Sequence, residues 1–384
     1  MKNIATFLAL TILVLATGCK KLPEFTQGSS GSSSTGGTLY YHLNGYPEIG
    51  TDYISISAKY GSEGEITGMW LLVSEKIDMP AGSTHYAEIQ MNYPEFSVTL
   101  TGLEPNTPYF WCINYLENDN SYVTFPEAFL TAVSGGSEAP TGAINGLFSV
   151  SNTKQVYFSK GNLQYQASTN IWRFAENQWN YMGNANALIS SNYSGWIDLF
   201  GWGTGNNPTN DSTWNSNYSS FNDWGNNAIY NGGNVENQWR TLTRDEWVYV
   251  IDIRNSSSGI RYAKALVNSV KGVLLFPDNW SSSIYDINSI NVSDADFTTN
   301  TLDTANMNYL EGFGAIFLPV AGLREGTMIS FLDKVGFYWS ATYDTSSTGI
   351  DNAHGVYIRY DRVNSTYSNT CCCGQSVRLV HDAN

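Results

Sequence analysis

The stretch Trp239-Arg240-Thr241-Leu242-Thr243-Arg244-Asp245-Glu246-Trp247 decides how the larger part of the chain is read. Thr243 with Glu246 three residues later is a capping box. The Thr hydroxyl takes the Glu246 amide, and the Glu carboxylate reaches back to the Thr243 amide. Acids at 245 and 246 suit the positive end of a helix. Trp247, Val250 and Ile251 share one helical face, so a helix is predicted to start at Thr243 and to lay that face on a core.

Upstream, Gln155-Val-Tyr-Phe-Ser159, Asn162-Leu-Gln-Tyr165 and Trp172-Arg-Phe174 read as short strands. Between them and the helix, Asn184 to Asn237 has little periodicity. It is expected to be loops packed by their own aromatics, among them Trp196, Trp202, Trp214 and Trp224. Downstream come Gly272-Val-Leu-Leu-Phe-Pro-Asp278, Gly314-Ala-Ile-Phe-Leu-Pro-Val-Ala-Gly322, Gly336-Phe-Tyr-Trp-Ser-Ala-Thr342 and Gly374-Gln-Ser-Val-Arg-Leu-Val380.

With residues 239–247, these segments resemble the formylglycine-generating-enzyme and C-type-lectin-like superfamily. In their order they are similar to the paralogous lipoprotein domain common in gut Bacteroidales and in Fibrobacter, over residues 143–381. The resemblance implies an α+β C-type-lectin-like (FGE-sulfatase-like) domain at 143–384, but a fold does not assign a function. Formylglycine formation uses a redox-active Cys pair and copper. Here the nearby thiols are the adjacent Cys371, Cys372 and Cys373, and consecutive side chains on a strand point to opposite faces and do not close around one soft metal. No His stands at ligand spacing, and neither a nucleophile elbow, an H-E-x-x-H nor a P-loop occurs. No catalytic residue, metal or cofactor is therefore expected; the copper and thiol oxidase is the least favoured reading.

The same fold resembles the variable proteins of diversity-generating retroelements, in which a C-terminal segment is rewritten at template adenines and displayed on a fixed frame. Tyr338-Trp339-Ser340 and Gly374-Gln375-Ser376-Val377-Arg378 stand where that frame would open and close, giving a variable segment at 340–374. Rewriting the adenines of an Asn codon never yields Lys, Met, Trp, Gln or Glu, and none of the five occurs in 340–374; residues 281–306, outside the frame, share the property. Cys is one reachable product, so Cys371–Cys373 read either as recorded changes or as a thiol cluster. The expected ligand-binding residues are Tyr343, Asp344, Thr345, Asp351, Asn352, His354, Tyr357, Arg359, Asp361, Arg362, Asn364, Tyr367, Asn369, Cys371, Cys372 and Cys373. Tyr gives flat contact area with few rotors, and Asn, Asp and Ser give adaptable hydrogen bonds. Alternation in Val356-Tyr-Ile-Arg-Tyr-Asp361 turns Val356 and Ile358 inward and Tyr357, Arg359 and Asp361 outward. Arg378, between Val377 and Leu379, is expected to pair with a buried acid.

The N-terminal part reads differently. A basic start at Lys2, an apolar run from Ile4 to Ala16 and Leu15-Ala16-Thr17-Gly18-Cys19 resemble a bacterial lipoprotein signal, with Ala16 where Leu is more usual. Residues 1–18 are then removed, Cys19 is lipidated, and 19–37, rich in Gly and Ser, is a flexible tether. From 38 to 133 short alternating runs such as Tyr53-Ile-Ser-Ile-Ser-Ala58 and Phe96-Ser-Val-Thr-Leu100 predict an all-β sandwich. Val98 to Tyr115 resembles the region of a fibronectin type III (Ig-like) module where Leu103 plugs the core and Tyr109 starts the next strand. Glu104-Pro105-Asn106 matches the tripeptide that ligates calcium and mannose in calcium-dependent lectins, but no Trp-Asn-Asp partner occurs in the chain and the motif is set aside. A Gly, Ser and Pro linker covers 134–142.

Composition limits the partners. The 384 residues carry 19 Lys and Arg against 34 Asp and Glu, a formal charge of −15, which does not suit a phosphate backbone. Nucleic acid is excluded as a partner, and the membrane is expected only through the lipid. The sequence reads as a surface-exposed lipoprotein of the bacterial outer membrane whose head binds an extracellular protein or glycan; a fixed adhesin or structural surface module is the alternative.

Overall fold

The computed structural model describes residues 30–32, 37–43, 47–76, 79, 84–105, 107–124, 126–131, 139–218, 220–282, 284–346 and 351–383. The expected signal peptide, Cys19, most of the expected tether, Asn106 and residues 134–138 of the expected linker lie outside them.

The chain divides into two compact units, residues 1–138 with 304–313, and residues 139–303 with 314–384. The helix Thr304–Gly312 groups with the first unit, where Tyr309 and Phe313 set their rings 5.8 and 6.2 Å from that of Phe110.

The first unit is a pair of antiparallel sheets. One runs Ser30–Ser32, Tyr40–Leu43, Tyr53–Gly61, Glu95–Thr101, Gln90–Asn92; the other runs Asn120–Val123, Pro108–Glu117, Ile66–Ser74, Thr84–Glu88. Glu95–Thr101 alternates strictly between exposed and buried positions, as period-2 patterning requires of a strand with one wet face. Ile54, Ile56, Met69, Leu71, Val98, Leu103, Trp111 and Ile113 share one core. Leu103 is buried as expected, and the Tyr109 hydroxyl accepts the Glu104 amide at 3.0 Å, a tyrosine corner that pins the turn before the Pro108–Glu117 strand.

In the second unit, strands near its two ends lie side by side: Gln155–Ser159 pairs antiparallel with Ala143–Ser149 and with Leu379–Asp382, which pairs in turn with Arg240–Thr241. A second sheet runs Thr301–Leu302, Tyr262–Val267, Val270–Leu275, Ile316–Pro319, and a third, antiparallel, runs Val335–Tyr343, Asn352–Arg359, Arg362–Thr370. The capping box forms, but the α-helix covers only Arg244–Val248 before widening into a π turn at Tyr249–Ile253. Trp247, Val250 and Ile251 are buried against Phe158, Tyr338 and Val356. This unit is mainly β, with far less helix than an α+β reading anticipates. Its Asn, Gly and Ser-rich loops form short 3-10 turns, and Phe200, Trp202, Tyr218, Trp224 and Trp239 fill the space between them. Trp214 departs from the expected packing: it is 76% exposed.

Candidate functional site

Both ends of the 340–374 segment are fixed by buried residues. Trp339 Nε1 donates to the Phe200 carbonyl at 2.7 Å, Trp202 Nε1 to that of Ser340 at 2.9 Å, and the Tyr338 hydroxyl to that of Pro319 at 2.9 Å. At the far end Gly374 and Arg324 exchange two backbone hydrogen bonds, and Gln375 and Phe200 exchange two more. Arg378 Nη2 donates to Gln178 Oε1 at 2.6 Å and Nη1 reaches Asn162 Oδ1 and the Phe317 carbonyl, so amide oxygens surround a guanidinium expected to meet an acid.

Between these anchors the register is broken twice, between Trp339 and Tyr343 on one strand and opposite Gly355 to Tyr357 on the other. Val356 and Ile358 enter the core as the alternation predicts, while Tyr357, Arg359 and Asp361 are partly exposed. The Tyr357 and Tyr367 rings stack at 4.9 Å, with Phe337 within 5.7 Å of both. Arg359 Nε donates to Asp361 Oδ1 at 2.6 Å, its Nη2 holds the other oxygen, and this pairing holds the Asp361 carboxyl down at about 2.

Tyr367 and Ser368, being consecutive on a strand, point to opposite faces, so the expected residues do not gather on one surface. With Ser368 lies a polar cluster: Asp344 accepts from Ser346 N at 2.9 Å, Ser346 Oγ at 2.5 Å and Ser368 Oγ at 2.6 Å, with His354 Nε2 at 3.7 Å. Those bonds hold its carboxyl well below the usual carboxylate range. Asp344 was expected to meet a ligand; it is buried and its oxygens are taken. Cys371 and Cys373 are likewise buried. Cys371–Cys373 forms a turn following the Arg362–Thr370 strand, and Cys371, whose amide still bonds the Asp351 carbonyl at 2.9 Å, drops among the aromatics of the core.

Thr345 and Arg362 are exposed; Tyr343, Asp351, Asn352, His354, Asn364, Asn369 and Cys372 are partly so. The Tyr343 hydroxyl donates to Asp351 Oδ1, and Asn364 and Asn369 close local turns onto the Thr366 and Thr370 amides. The expected list missed two neighbours from the loop region. Asn215 donates through Nδ2 to the Asp351 carbonyl and accepts the Cys372 amide at 2.9 Å, which sets exposed Trp214 beside the segment. A Trp in an aperiodic Asn-rich run carries no pattern that distinguishes it from the buried ones. Among the described residues no group of three or more His, Cys, Asp or Glu is placed to hold a metal ion, and no helix is long and apolar enough to cross a membrane.

No family model matches the chain, and no curated protein matches it. Solved structures similar to part of it include the fibronectin type III domain of human collagen alpha-1(XX) chain (17% identity, 32% of this chain and 96% of that one, TM-score 0.20). Others are the fibronectin type III domain derived from human KIAA0970 protein (16% identity, 27% and 72%, TM-score 0.18) and the sensor domain of the anti-sigma factor RsgI4 of Pseudobacteroides cellulosolvens (16% identity, 26% and 100%, TM-score 0.21).

Proposed function

We propose that this chain is a lipoprotein held at the bacterial outer membrane through Cys19, whose C-type-lectin-like head binds an extracellular protein or glycan without catalysis. In this reading residues 340–374 are diversified by a retroelement. One observation carries it: the segment is tied down at both ends by buried frame residues, while Tyr343, Asp351, Tyr357, Arg359, Tyr367 and Asn369 between those ties reach solvent. That is the division of labour a displayed binding surface needs, with rigid support beneath adaptable contacts.

Sequencing the surrounding locus tests it. The expected finding is a reverse transcriptase gene and a near-copy of codons 340–374, with template adenines concentrated at the solvent-reaching positions and absent at Ala353, Gly355, Val356 and Ile358. Absence of both elements removes the retroelement and leaves a fixed adhesin. A protein and glycan array probed with the full chain tests binding itself: a hit weakened by Tyr357→Ala or Tyr367→Ala supports the head as the binding part, and hits unaffected by either place binding elsewhere.

A further inference from the structure

The Cys371–Cys373 turn holds chemistry that ligand contact leaves unused. Cys372 is partly exposed, Cys373 is 2% exposed, and the two thiols hydrogen-bond to one another. Cys373 Sγ also lies 3.0 Å from Thr370 Oγ1 and 3.7 Å from Glu325 Oε1. The Cys372 amide is fixed by Asn215, so the exposed thiol is held in place beside the sheltered one. An accessible sulfur, a second sulfur touching it and a carboxylate beside the second are the three parts of a thiol exchange site.

We propose that Cys372 and Cys373 exchange with low-molecular-weight disulfides and close reversibly into a vicinal disulfide. The Cys372 thiolate attacks one sulfur of the incoming disulfide, forming a mixed disulfide and releasing one small thiolate. Cys373 gives its proton to Glu325 and attacks the Cys372 sulfur, closing the ring and releasing the second small thiolate. Two protein thiols are oxidised, the small disulfide is reduced to two thiols, and the protons of the two cysteines end on them. The hydrogen bond between Cys372 and Cys373 lowers the Cys372 thiol and raises that of Cys373, so the exposed sulfur ionises first, and Cys373 is freed to ionise once Cys372 is tied up in the mixed disulfide. Cys112 and Cys371 are buried away from any incoming disulfide, and that burial also pushes both thiols up to about 12. Adjacent Cα atoms stand about 3.8 Å apart, closer than the roughly 4.4–6.8 Å of most disulfides, so the closed bond is readily reduced and marks a state instead of stapling the fold.

The test incubates the full folded chain with oxidised glutathione, quenches with iodoacetamide, and reads intact mass and peptide maps. The expected product has lost two hydrogens, links Cys372 to Cys373, leaves Cys112 and Cys371 as thiols, and reopens with reduced glutathione. Cys373→Ser is expected to stop at a glutathione adduct on Cys372, and Glu325→Gln to slow ring closure by about tenfold or more. A lasting adduct in the wild type, a disulfide-linked dimer, a bridge through Cys371 or no reaction at all would overturn the proposal. Should Cys373→Ser lose its near-ultraviolet circular dichroism, Cys372→Ser decides: the proposal requires it to be inert when folded, and oxidation continuing at Cys373 refutes it.

Discussion

A methyl group at position 355 has nowhere to go: a Cβ there would lie 2.4 Å from the Tyr338 carbonyl oxygen in the middle of a paired strand. Gly355→Ala is expected to cost about 1–3 kcal/mol, since the backbones must part to admit it, and urea denaturation reads the loss directly. The Asp344 carboxylate answers two serine hydroxyls and an amide, so Asp344→Ala leaves several partners unsatisfied and is expected to cost about 1–3 kcal/mol in the same assay. The Tyr357 and Tyr367 stack is testable by a double-mutant cycle to Ala, with an expected coupling of about 0.5–1.5 kcal/mol; additive losses would mean the rings pack independently. None of these roles is legible from the residues themselves. Gly355 is one of 35 glycines, and only the Ser346 bonds to Asp344 are local, while its Ser368 partner comes from a strand 24 positions away.

The capping box is the element whose reading and structure agree most closely, because every contact lies within four residues. Glu246 also takes both Nη groups of Arg240, at 2.8 and 2.9 Å, tying the helix start to the strand before it. Thr243→Ala is expected to lower stability by about 0.5–2 kcal/mol, measured by denaturation. The Leu103 to Tyr109 turn was legible for the same reason. Legibility fails where a backbone change intervenes: the strand ends at Thr370 and the cysteines form a turn, and the π turn stops the helix sooner than its apolar face suggests. The hairpin joining the last two strands of the third sheet is held from outside its own sequence. Lys264 Nζ, its pKa pushed down to about 8 by burial, donates to the Arg359 and Tyr360 carbonyls at 2.7 and 2.9 Å. Lys264→Met removes both bonds, and amide exchange at residues 359–362 is expected to quicken while the Tyr53–Gly61 strand is unaffected.

For the molecule as a whole, pH acts through two carboxyls raised by burial, Glu127 in the first unit, pushed up to about 7, and Asp198 in the second. Asp198 is fully buried, and burial raises it to about 6 even though the Asn186 side chain and the Met182 amide bond it. A folded value above the unfolded one gives stability that is full below about pH 4 and lost as pH rises through 6, on the order of 3 kcal/mol in all. Stability curves from pH 4 to 7 should therefore fall for the wild type and fall less steeply for Asp198→Asn, with Glu127 carrying the remaining slope. The pairing of strands from opposite ends of the second unit also sets a time order. Val156 meets Asp382, so this closure waits on the longest loop in the unit, whereas hairpins such as Tyr262–Leu275 form from near neighbours. Refolding is consequently a race. Until Leu379–Asp382 arrives, Gln155–Ser159 and Arg240–Thr241 each present an open edge to any other chain in solution. Yield on dilution from denaturant is set by concentration as much as by stability.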